Sequence, residues 1–388
     1  MDLPHGKPID IPANWQYVRL LGKGSTGTVI ACTDEKGAPV ALKRSDAIGG
    51  NVRHAERLLR EVQLMRRMKY KYLVPLLGLW TSGRDVFLVM PEMETDLERF
   101  LKQWQKVPSR ILVSRMSAKL LLGCRFLHAA GVLHRDLKPA NILISRETII
   151  KIADFGLSRG EEEGAAMTNY VVTRPYRAPE VTLTKGEYTS AIDVWSVGCI
   201  IFEMATLQRL FKKCQNTFHH VQLVVELCRV EDTSWLSKTA VRFLESFSKR
   251  GVGIQGHELL RDADQDLVAL LDGMFQFRPD QRLTVRQALD MAYLTEARDA
   301  VELAEAEEGA RVNLGSLTDD KLTDEGYQEE VLAILQYEML DMAGCTGIRK
   351  PSLPGLLRPS FRPSSRRWSE QKAQRPSMAD GPVPGYDS

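Results

Sequence analysis

The chain has 388 residues, of which 44% are hydrophobic and 26% are charged. This length exceeds the usual size of a single hydrophobic core, and the composition excludes a wholly disordered, collagen-like or disulfide-scaffold protein. The 52 basic and 50 acidic residues nearly cancel. Charge alone therefore gives no reason to expect nucleic acid or an anionic membrane as a partner.

The six cysteines are scattered without the paired spacing of zinc sites, which favours a reducing compartment. The first residues lack the apolar segment of a signal peptide, and no apolar run approaches the roughly 18 residues needed to cross a bilayer. We therefore expect a protein of the cytoplasm and nucleus that has no membrane partner.

Residues 17–87 alternate short runs of valine, leucine and aromatic residues with glycine and charged turns, which predicts a small sheet of hairpins. One helix, predicted over residues 54–68, interrupts it with apolar residues at spacings of three and four. Glu61 falls within the apolar arc of this helix when residues are placed 100° apart. The pattern therefore predicts a buried acid that needs a cationic partner.

Beyond residue 92 the pattern becomes helical. Residues 111–128 and 266–275 have amphipathic spacing, and residues 192–205 are apolar nearly all round, as in a central buried helix. Residues 142–144 and 149–152 form two short β-branched runs, which predict a hairpin on the helical half. The sequence therefore predicts an α+β fold in two unequal parts.

Three glycines, Gly22, Gly24 and Gly27, form a GxGxxG pattern in a strand–turn–strand setting. Such glycines let the backbone approach phosphates and donate N–H groups to them. A dinucleotide-binding fold is excluded because a strand, not a helix, follows the pattern. Taken alone, the pattern also fits a glycine-rich hairpin that binds nothing.

Lys43 follows in the predicted strand 40–43, on the sheet face beneath the glycine hairpin. A lysine on a strand is most often solvated. Here it is also the natural partner for the buried Glu61, and we expect the two side chains to form an ion pair.

The most specific signal is a pair of short motifs, HRDLKPAN at residues 134–141 and DFG at residues 154–156. Asn141 and Asp154 offer the oxygen ligands that Mg²⁺ prefers. Asp136 is free to orient a substrate hydroxyl and accept its proton, and Lys138 is suited to neutralise a transferred phosphoryl group. A lone aspartate would more simply be a turn former, but eight residues in this order are not explained that way.

Ala178, Pro179 and Glu180 follow, and Asp193 opens the buried helix. This order of motifs resembles the eukaryotic protein kinases over residues 17–294. The resemblance implies a two-lobed fold with a β-rich N-lobe that carries one regulatory helix, a larger helical C-lobe, ATP between them and phosphorylation of protein hydroxyls. The implied boundaries are an N-terminal extension at 1–16, N-lobe 17–90, hinge 91–95 and C-lobe 96–294.

By this resemblance, Met90 is the gatekeeper, and the hinge binds adenine through the Pro91 carbonyl and the Met93 N–H, so the missing N–H of proline does no harm. The family also implies that Asp193 holds the catalytic loop and that Arg282 pairs with Glu180. Without the resemblance, the simpler interpretations are a helix cap for Asp193 and a surface charge for Arg282. The implied nucleotide site comprises Leu21, Gly22, Lys23, Gly24, Ser25, Thr26, Gly27, Thr28, Val29, Ala41, Lys43, Met90, Pro91, Met93 and Leu143.

Residues 167–177 read MTNYVVTRPYR, which resembles the TxY loop and TRxYRAPE ending of mitogen-activated protein kinases. The resemblance implies activation by phosphorylation of Thr168 and Tyr170 by an upstream dual-specificity MAP kinase kinase, reversal by phosphatases, and protein substrates with Ser/Thr-Pro sites. Pro175 and Lys212 replace a tryptophan and a proline that are usual in the family. Phosphates need arginines around them, and the candidates by position are Arg57, Arg60, Arg135 and Arg159 for Thr168, and Arg174 and Arg177 for Tyr170.

After residue 294 an acidic run resembles the family's docking site for basic motifs, with Asp299 and Glu302 in the best-matching positions. A solvated helix face has the same pattern. Residues 322–342 resemble the C-terminal extension that packs on both lobes, within a predicted unit 295–342. Residues 343–388 are rich in proline, serine and basic residues, which predicts a disordered tail, either merely solvated or used in localisation or phosphorylation.

The sequence is thus interpreted as a serine/threonine kinase of the mitogen-activated type that uses ATP and Mg²⁺. A cyclin-dependent-like kinase of the same larger group is an alternative, but it leaves Tyr170 and the C-terminal extension unexplained. A pseudokinase scaffold would require a missing catalytic residue, and none of the six expected ones is missing.

Overall fold

The structure is a computed structural model of the chain. It describes residues 9, 11–24, 27–45, 52–82, 85–145, 149–160, 174–184, 189–212, 214–247, 251, 253–300, 334–336, 338, 339 and 342. For residues 52, 53, 159, 160, 174 and 298–300 it describes the backbone alone.

The N-terminal half is a five-stranded antiparallel sheet in the order β1-β2-β3-β5-β4. Helix α1 (Val52–Arg67) lies between β3 and β4 in the chain and buries Leu58, Leu59 and Val62. Strand β1 carries two register shifts, one between Tyr17 and Arg19 and one between Leu20 and Gly22. The strands are β1 (Gln16–Gly24), β2 (Gly27–Thr33), β3 (Pro39–Ser45), β4 (Gly78–Ser82) and β5 (Asp85–Pro91).

A second, smaller core covers one face of this sheet. Ile9, from the predicted N-terminal extension, is 1% exposed and packs with Leu42 and Phe87 of the sheet. Trp15 adds an edge-on contact with Trp80 at 5.7 Å between ring centroids. Residues that precede β1 therefore contribute apolar surface to the sheet, which the sequence pattern did not indicate.

The C-terminal half is mainly helical and is organised around α5, whose Trp195 and Phe202 are fully buried. Strands β8 and β9 form the predicted hairpin, which β6 extends to three strands, and β7 pairs with β10. These short strands are β6 (Thr95–Asp96), β7 (Val132–Leu133), β8 (Ile142–Ile144), β9 (Ile150–Ile152) and β10 (Arg159–Gly160). The helices are α2 (Leu97–Gln103), α3 (Arg110–Ala129), α4 (Glu180–Leu183), α5 (Ala191–Thr206), α6 (Thr217–Leu227), α7 (Lys238–Glu245), α8 (Gln265–Met274), α9 (Val285–Leu289) and α10 (Thr295–Ala300).

The predicted α+β fold with two unequal lobes is confirmed. The predicted helices begin and end within two residues of α1, α3, α5 and α8, the usual uncertainty at frayed ends. Among the described residues, no helix has both the length and the apolar character required to cross a bilayer. The five cysteines that the structure describes are free thiols.

Part of the predicted C-terminal extension returns to the N-terminal half. Ile334 and Leu335 are 3% and 0% exposed, and the buried Glu338 forms an ion pair with Arg66 in the last turn of α1. The extension thus contacts the helix that carries Glu61. Residues 301–333 and the predicted tail at 343–388 lie outside the described residues, and the predictions for them stay predictions.

Candidate active site

Lys43 and Glu61 form the predicted ion pair. Lys43 lies on β3 between Val29 of β2 and Leu88 of β5, and its Nζ is 2.6 Å from Glu61 Oε1. The side chains are 8% and 6% exposed. Burial lowers the pKa of Lys43, but the carboxylates of Glu61 and Asp154 more than offset this, so its pKa lies above the ordinary value. The ammonium is therefore charged at neutral pH.

The glycine hairpin joins β1 to β2, with Gly24 opposite Gly27. Gly27 has φ +130°, and a Cβ there would lie 2.0 Å from the backbone oxygen of Arg44, so only glycine fits. A Cβ at Gly22 or Gly24 would meet no atom within 4 Å. The backbone at these two positions thus has open space beside it, as a phosphate-binding hairpin requires. Ser25 and Thr26 lie outside the described residues.

The remaining nucleotide-site candidates come from both halves of the fold. Ala41 on β3 pairs with Met90 on β5, and Pro91 is the last residue of β5. Leu143 lies on β8 of the C-terminal half. Leu21, Lys23, Thr28 and Val29 belong to the β1–β2 hairpin, and Met93 lies two residues after the end of β5. The predicted residues are thus carried by strands on either side of the connection at 91–95.

The catalytic-loop candidates contact one another directly. Asp136 Oδ2 accepts hydrogen bonds from Lys138 Nζ at 2.6 Å and from Asn141 Nδ2 at 3.1 Å. Asn141 Nδ2 also donates to the backbone oxygen of Asp136 at 2.8 Å. With its amide nitrogen engaged in this way, Asn141 keeps its side-chain oxygen for a cation.

Asp193 organises the loop that carries Asp136. Its two carboxylate oxygens accept the backbone N–H groups of His134 and Arg135 at 2.8 and 2.9 Å, and His128 Nε2 lies 2.9 Å from Oδ2. Burial raises the pKa of Asp193, but the hydrogen bond with His128 and the electrostatic interactions with His128 and His134 outweigh it, so the pKa falls below its ordinary value. Arg135 has φ +70°, a strained conformation that these hydrogen bonds hold in place.

The residues present fit a divalent cation bound together with a nucleotide. Burial raises the pKa of Asp154, but the nearby ammonium of Lys43 and electrostatic interactions with His134 and Lys138 lower it below the ordinary value, so the carboxylate is ionised. Its Oδ1 lies 3.7 Å from Lys43 Nζ. In the described part of the chain, no three acidic, histidine or cysteine residues cluster as a metal site. A cation held by Asn141 and Asp154 would therefore take its other ligands from phosphates and water.

The pair of Glu180 and Arg282 is present as the family implies. Arg282 Nη1 and Nη2 lie 2.7 and 3.1 Å from the two Glu180 oxygens, with both side chains at most 2% exposed. The guanidinium also lies 5.0 Å from the ring centroid of Trp195. This bidentate pair fixes the segment after the TRxYR residues to the core of the C-terminal half.

The structure describes only some of the predicted regulatory residues. Arg57 and Arg60 lie on α1, Arg135 lies in the catalytic loop, and Arg177 is 6% exposed. Only the backbone of Arg159, Arg174 and Asp299 is described. Thr168, Tyr170 and Glu302 lie outside the described residues. The predicted arginine cluster and docking site therefore stay predictions.

Sequence reasoning missed a hydrogen bond between Tyr176 and Glu203. The Tyr176 hydroxyl donates to Glu203 Oε2 at 2.5 Å, and Arg209 Nε lies 3.5 Å from the other Glu203 oxygen. The available signal was an acid, Glu203, in the last turn of a helix that is apolar nearly all round. This contact ties the residue before Arg177 to α5.

Comparison with known proteins agrees with this geometry. Residues 15–294 match the family described as "Protein kinase domain". The chain is 35% identical over 314 residues to mitogen-activated protein kinase 12 of Danio rerio, and the aligned region covers 76% of this chain and 83% of that protein. It is 37% identical over 296 residues to mitogen-activated protein kinase 6 of Oryza sativa subsp. japonica, and this aligned region covers 74% of this chain and 78% of that protein. Mitogen-activated protein kinase 4 of Arabidopsis thaliana is 35% identical over 301 residues, with the same two coverages.

The matched region contains the glycine hairpin, the Lys43–Glu61 pair, the catalytic loop and the Glu180–Arg282 pair. The family implies the use of ATP and a divalent metal ion. The chain belongs to the mitogen-activated protein kinase family and is a serine/threonine kinase that phosphorylates protein substrates.

Proposed function

We propose that this kinase transfers the γ-phosphoryl group of Mg-ATP to serine or threonine residues that are followed by proline. The observation that carries the proposal is the hydrogen-bonded set of Asp136, Lys138 and Asn141, together with the Lys43–Glu61 pair 3.7 Å from Asp154. Phosphoryl transfer depends on positioning and charge stabilisation more than on covalent chemistry, and these residues provide both.

Each side chain has a distinct role in the proposal. Lys43, held by Glu61, orients the nucleotide phosphates under the glycine hairpin. Asn141 and Asp154 hold Mg²⁺, which neutralises phosphate charge when it is bound. Asp136 orients the substrate hydroxyl and accepts its proton, and Lys138 stabilises charge on the group in transfer.

Replacement of Asp136 by asparagine tests these roles. Asp136→Asn removes the proton acceptor but keeps its size, so we expect kcat to fall by about 10²- to 10⁴-fold, with ADP affinity unchanged. The matched control is Asp262→Asn at an exposed aspartate, which should keep the parental rate. Parental turnover in Asp136→Asn, measured with labelled ATP and a Ser-Pro peptide, would contradict the assignment.

The preference for proline rests on membership of the family and on the TRxYRAPE ending. The usual tryptophan and proline are Pro175 and Lys212 here; Pro175 is half-buried and Lys212 is exposed. We expect kcat/KM for a Ser-Pro peptide to exceed that for the matched Ser-Ala peptide. Equal values would remove the proline preference and leave the kinase activity in place.

We further propose that phosphorylation of Thr168 and Tyr170 by an upstream dual-specificity kinase activates the enzyme, and that phosphatases reverse this in the cytoplasm and nucleus. Membership of the family and the TxY sequence at 168–170 support the proposal. Phosphate groups order loops through arginine contacts, and the predicted arginines would provide these.

Asp299 and Glu302 are proposed to bind basic docking motifs of partner proteins. Their replacement by asparagine and glutamine should weaken the binding of a basic docking peptide in a titration. Unchanged affinity would show that the acidic run is a solvated helix face.

A further inference from the structure

Strand β1 lies at the edge of the N-terminal sheet and is interrupted directly before the glycine hairpin. Leu20 pairs with Ile30 and Gly22 pairs with Val29, and the register shift falls between Leu20 and Gly22. Leu21 therefore stands in a bulge. A bulge of this kind re-aims a residue out of the ladder and changes the direction of its strand.

The carbonyl of Leu21 is bound from the other half of the molecule. Arg99 Nη2, on α2, donates to Leu21 O at 3.1 Å across 78 residues of sequence. Asp96 holds Arg99 in this position, since Asp96 Oδ2 lies 3.3 Å from Arg99 Nε and Asp96 Oδ1 accepts the Arg99 backbone N–H at 2.9 Å. The guanidinium is thus anchored at the start of α2 and reaches across to β1.

A second arginine ties the same strand to the connection between the halves. Arg19 Nη2 lies 2.6 Å from Glu92 Oε1. Glu92 stands between Pro91 and Met93, the two residues proposed to bind adenine, and its side chain is 17% exposed. Strand β1 is therefore held to the hinge through the side chain of Arg19 and to α2 through the carbonyl of Leu21.

We propose that Arg99 is a positioning residue that holds the glycine hairpin over the bound nucleotide and so slows nucleotide release. The inference rests on the proposed nucleotide site. Opening of the cleft separates β1 from α2 and must break the hydrogen bond from Arg99 to Leu21. The Arg19–Glu92 pair keeps β1 aligned with the hinge, so that the Leu21 carbonyl stays within reach of Arg99.

The same geometry indicates which step is affected. The side chain of Lys43 contacts Glu61 and Asp154, and the side chain of Asp136 contacts Lys138 and Asn141. Loss of the Arg99 bond should therefore act on nucleotide affinity and release, and leave the transfer step of a single turnover near its parental rate. The side chains of Arg99 and Arg19 are 57% and 49% exposed, and those of their acidic partners Asp96 and Glu92 are 16% and 17% exposed, so replacement of either arginine leaves no fully buried charge unpaired.

The test compares Arg99→Ala with Lys102→Ala in the full chain. Lys102 lies on the same helix and carries the same charge, but it pairs with Glu98 at 3.1 Å, not with β1. The probe is a fluorescent ADP, N-methylanthraniloyl-ADP, whose affinity and dissociation rate are measured by stopped flow. For Arg99→Ala we expect about two- to fivefold weaker binding and faster release, the size usual for an exposed charged contact. Lys102→Ala should match the parent.

A second variant, Arg19→Ala, should change release in the same direction. A single-turnover assay at saturating ATP should give parental transfer rates for both arginine variants, which a general loss of structure would not. If Arg99→Ala releases the labelled ADP at the rate of Lys102→Ala, the inference is overturned while the nucleotide site stands. If the parent chain does not bind the labelled ADP, the nucleotide site and the inference fail together.

Discussion

Glu61 and Asp193 are both buried acids, but different partners stabilise their negative charges. Glu61 meets the ammonium of Lys43 at 2.6 Å, whereas Asp193 accepts two backbone N–H groups and lies next to His128. Each carboxylate is tolerated in the interior because it has a polar or charged partner, since burial of an unpaired charge is costly. The two residues therefore respond differently to replacement and to pH.

For Glu61→Gln we expect the unfolding free energy to fall by about 3–5 kcal/mol, since a buried ammonium loses its closest partner. The kcat/KM for ATP should fall as well, because Lys43 is no longer held. Denaturant unfolding and steady-state kinetics measure the two effects. The control is Glu245→Gln at an exposed position on α7, and a stability loss no larger than that of the control would contradict the pair's importance.

Asp193→Asn should destabilise the protein by about 1–3 kcal/mol at neutral pH, because asparagine has one acceptor oxygen for two N–H groups. The folded-state pKa of Asp193 lies below the ordinary value of 3.8. The ionised carboxylate therefore contributes stability above that value, and the contribution is lost as the pH falls through the lower folded-state pKa.

Unfolding curves measured from about pH 7 down to about pH 3 check this prediction. The difference in stability between parent and Asp193→Asn should be constant above about pH 5 and should shrink below about pH 4. A stability difference that does not change with pH would show that the negative charge of Asp193 makes no contribution to stability.

Helix α1 connects the active site to the C-terminal extension. Glu61 lies in its middle and Arg66 in its last turn, where the buried Glu338 forms an ion pair with it. Ile334 and Leu335 bury apolar surface beside this contact. Because α1 is rigid over this length, the extension helps to fix the helix that positions Lys43.

Glu338→Ala and Arg66→Glu should each lower the unfolding free energy by about 1–3 kcal/mol, less than full burial would give because the Arg66 side chain is 22% exposed. The charge-swapped double variant, Arg66→Glu with Glu338→Arg, should recover part of the loss. Thermal unfolding of the three proteins checks this. A double variant less stable than both single variants would show that the pairing of charges is not the cause.

The two halves of the molecule are joined by the hinge, by the Arg99–Leu21 bond and, in our proposal, by phosphorylation. Two phosphates add about three to four negative charges to a chain whose net charge is +2. Arg57 and Arg60 belong to the N-terminal half and Arg135 to the catalytic loop. A phosphate on Thr168 that contacts both groups would draw α1 toward the catalytic loop.

Phosphorylation of both Thr168 and Tyr170 should therefore raise kcat/KM for a Ser-Pro peptide by about 5- to 150-fold, the usual range of coupling between sites. The assay compares unphosphorylated and doubly phosphorylated protein, with Thr168→Ala as the control that should lose most of the gain. Full activity without phosphorylation would leave the kinase assignment in place and remove the switch.

Much of this protein follows from patterns that are local in sequence. Helical spacing was enough to place α1 and α5 within two residues of their ends and to put Glu61 on a buried face. The HRDLKPAN and DFG motifs identified the catalytic loop because each is a continuous segment whose residues act together. Lys43 could be paired with Glu61 because each had one plausible partner.

The contacts that were missed join residues far apart in the chain. Arg99 reaches Leu21 because a bulge turns the Leu21 carbonyl out of the ladder. A one-residue change of strand register would remove this hydrogen bond. Glu338 meets Arg66, and Tyr176 meets Glu203, only after the C-terminal segment and α5 have packed. The sequence alone was sufficient for the family and the main helices, since each depends on neighbours in the chain. Strand register and packing decided how the glycine hairpin and α1 are held, because those contacts exist only in three dimensions.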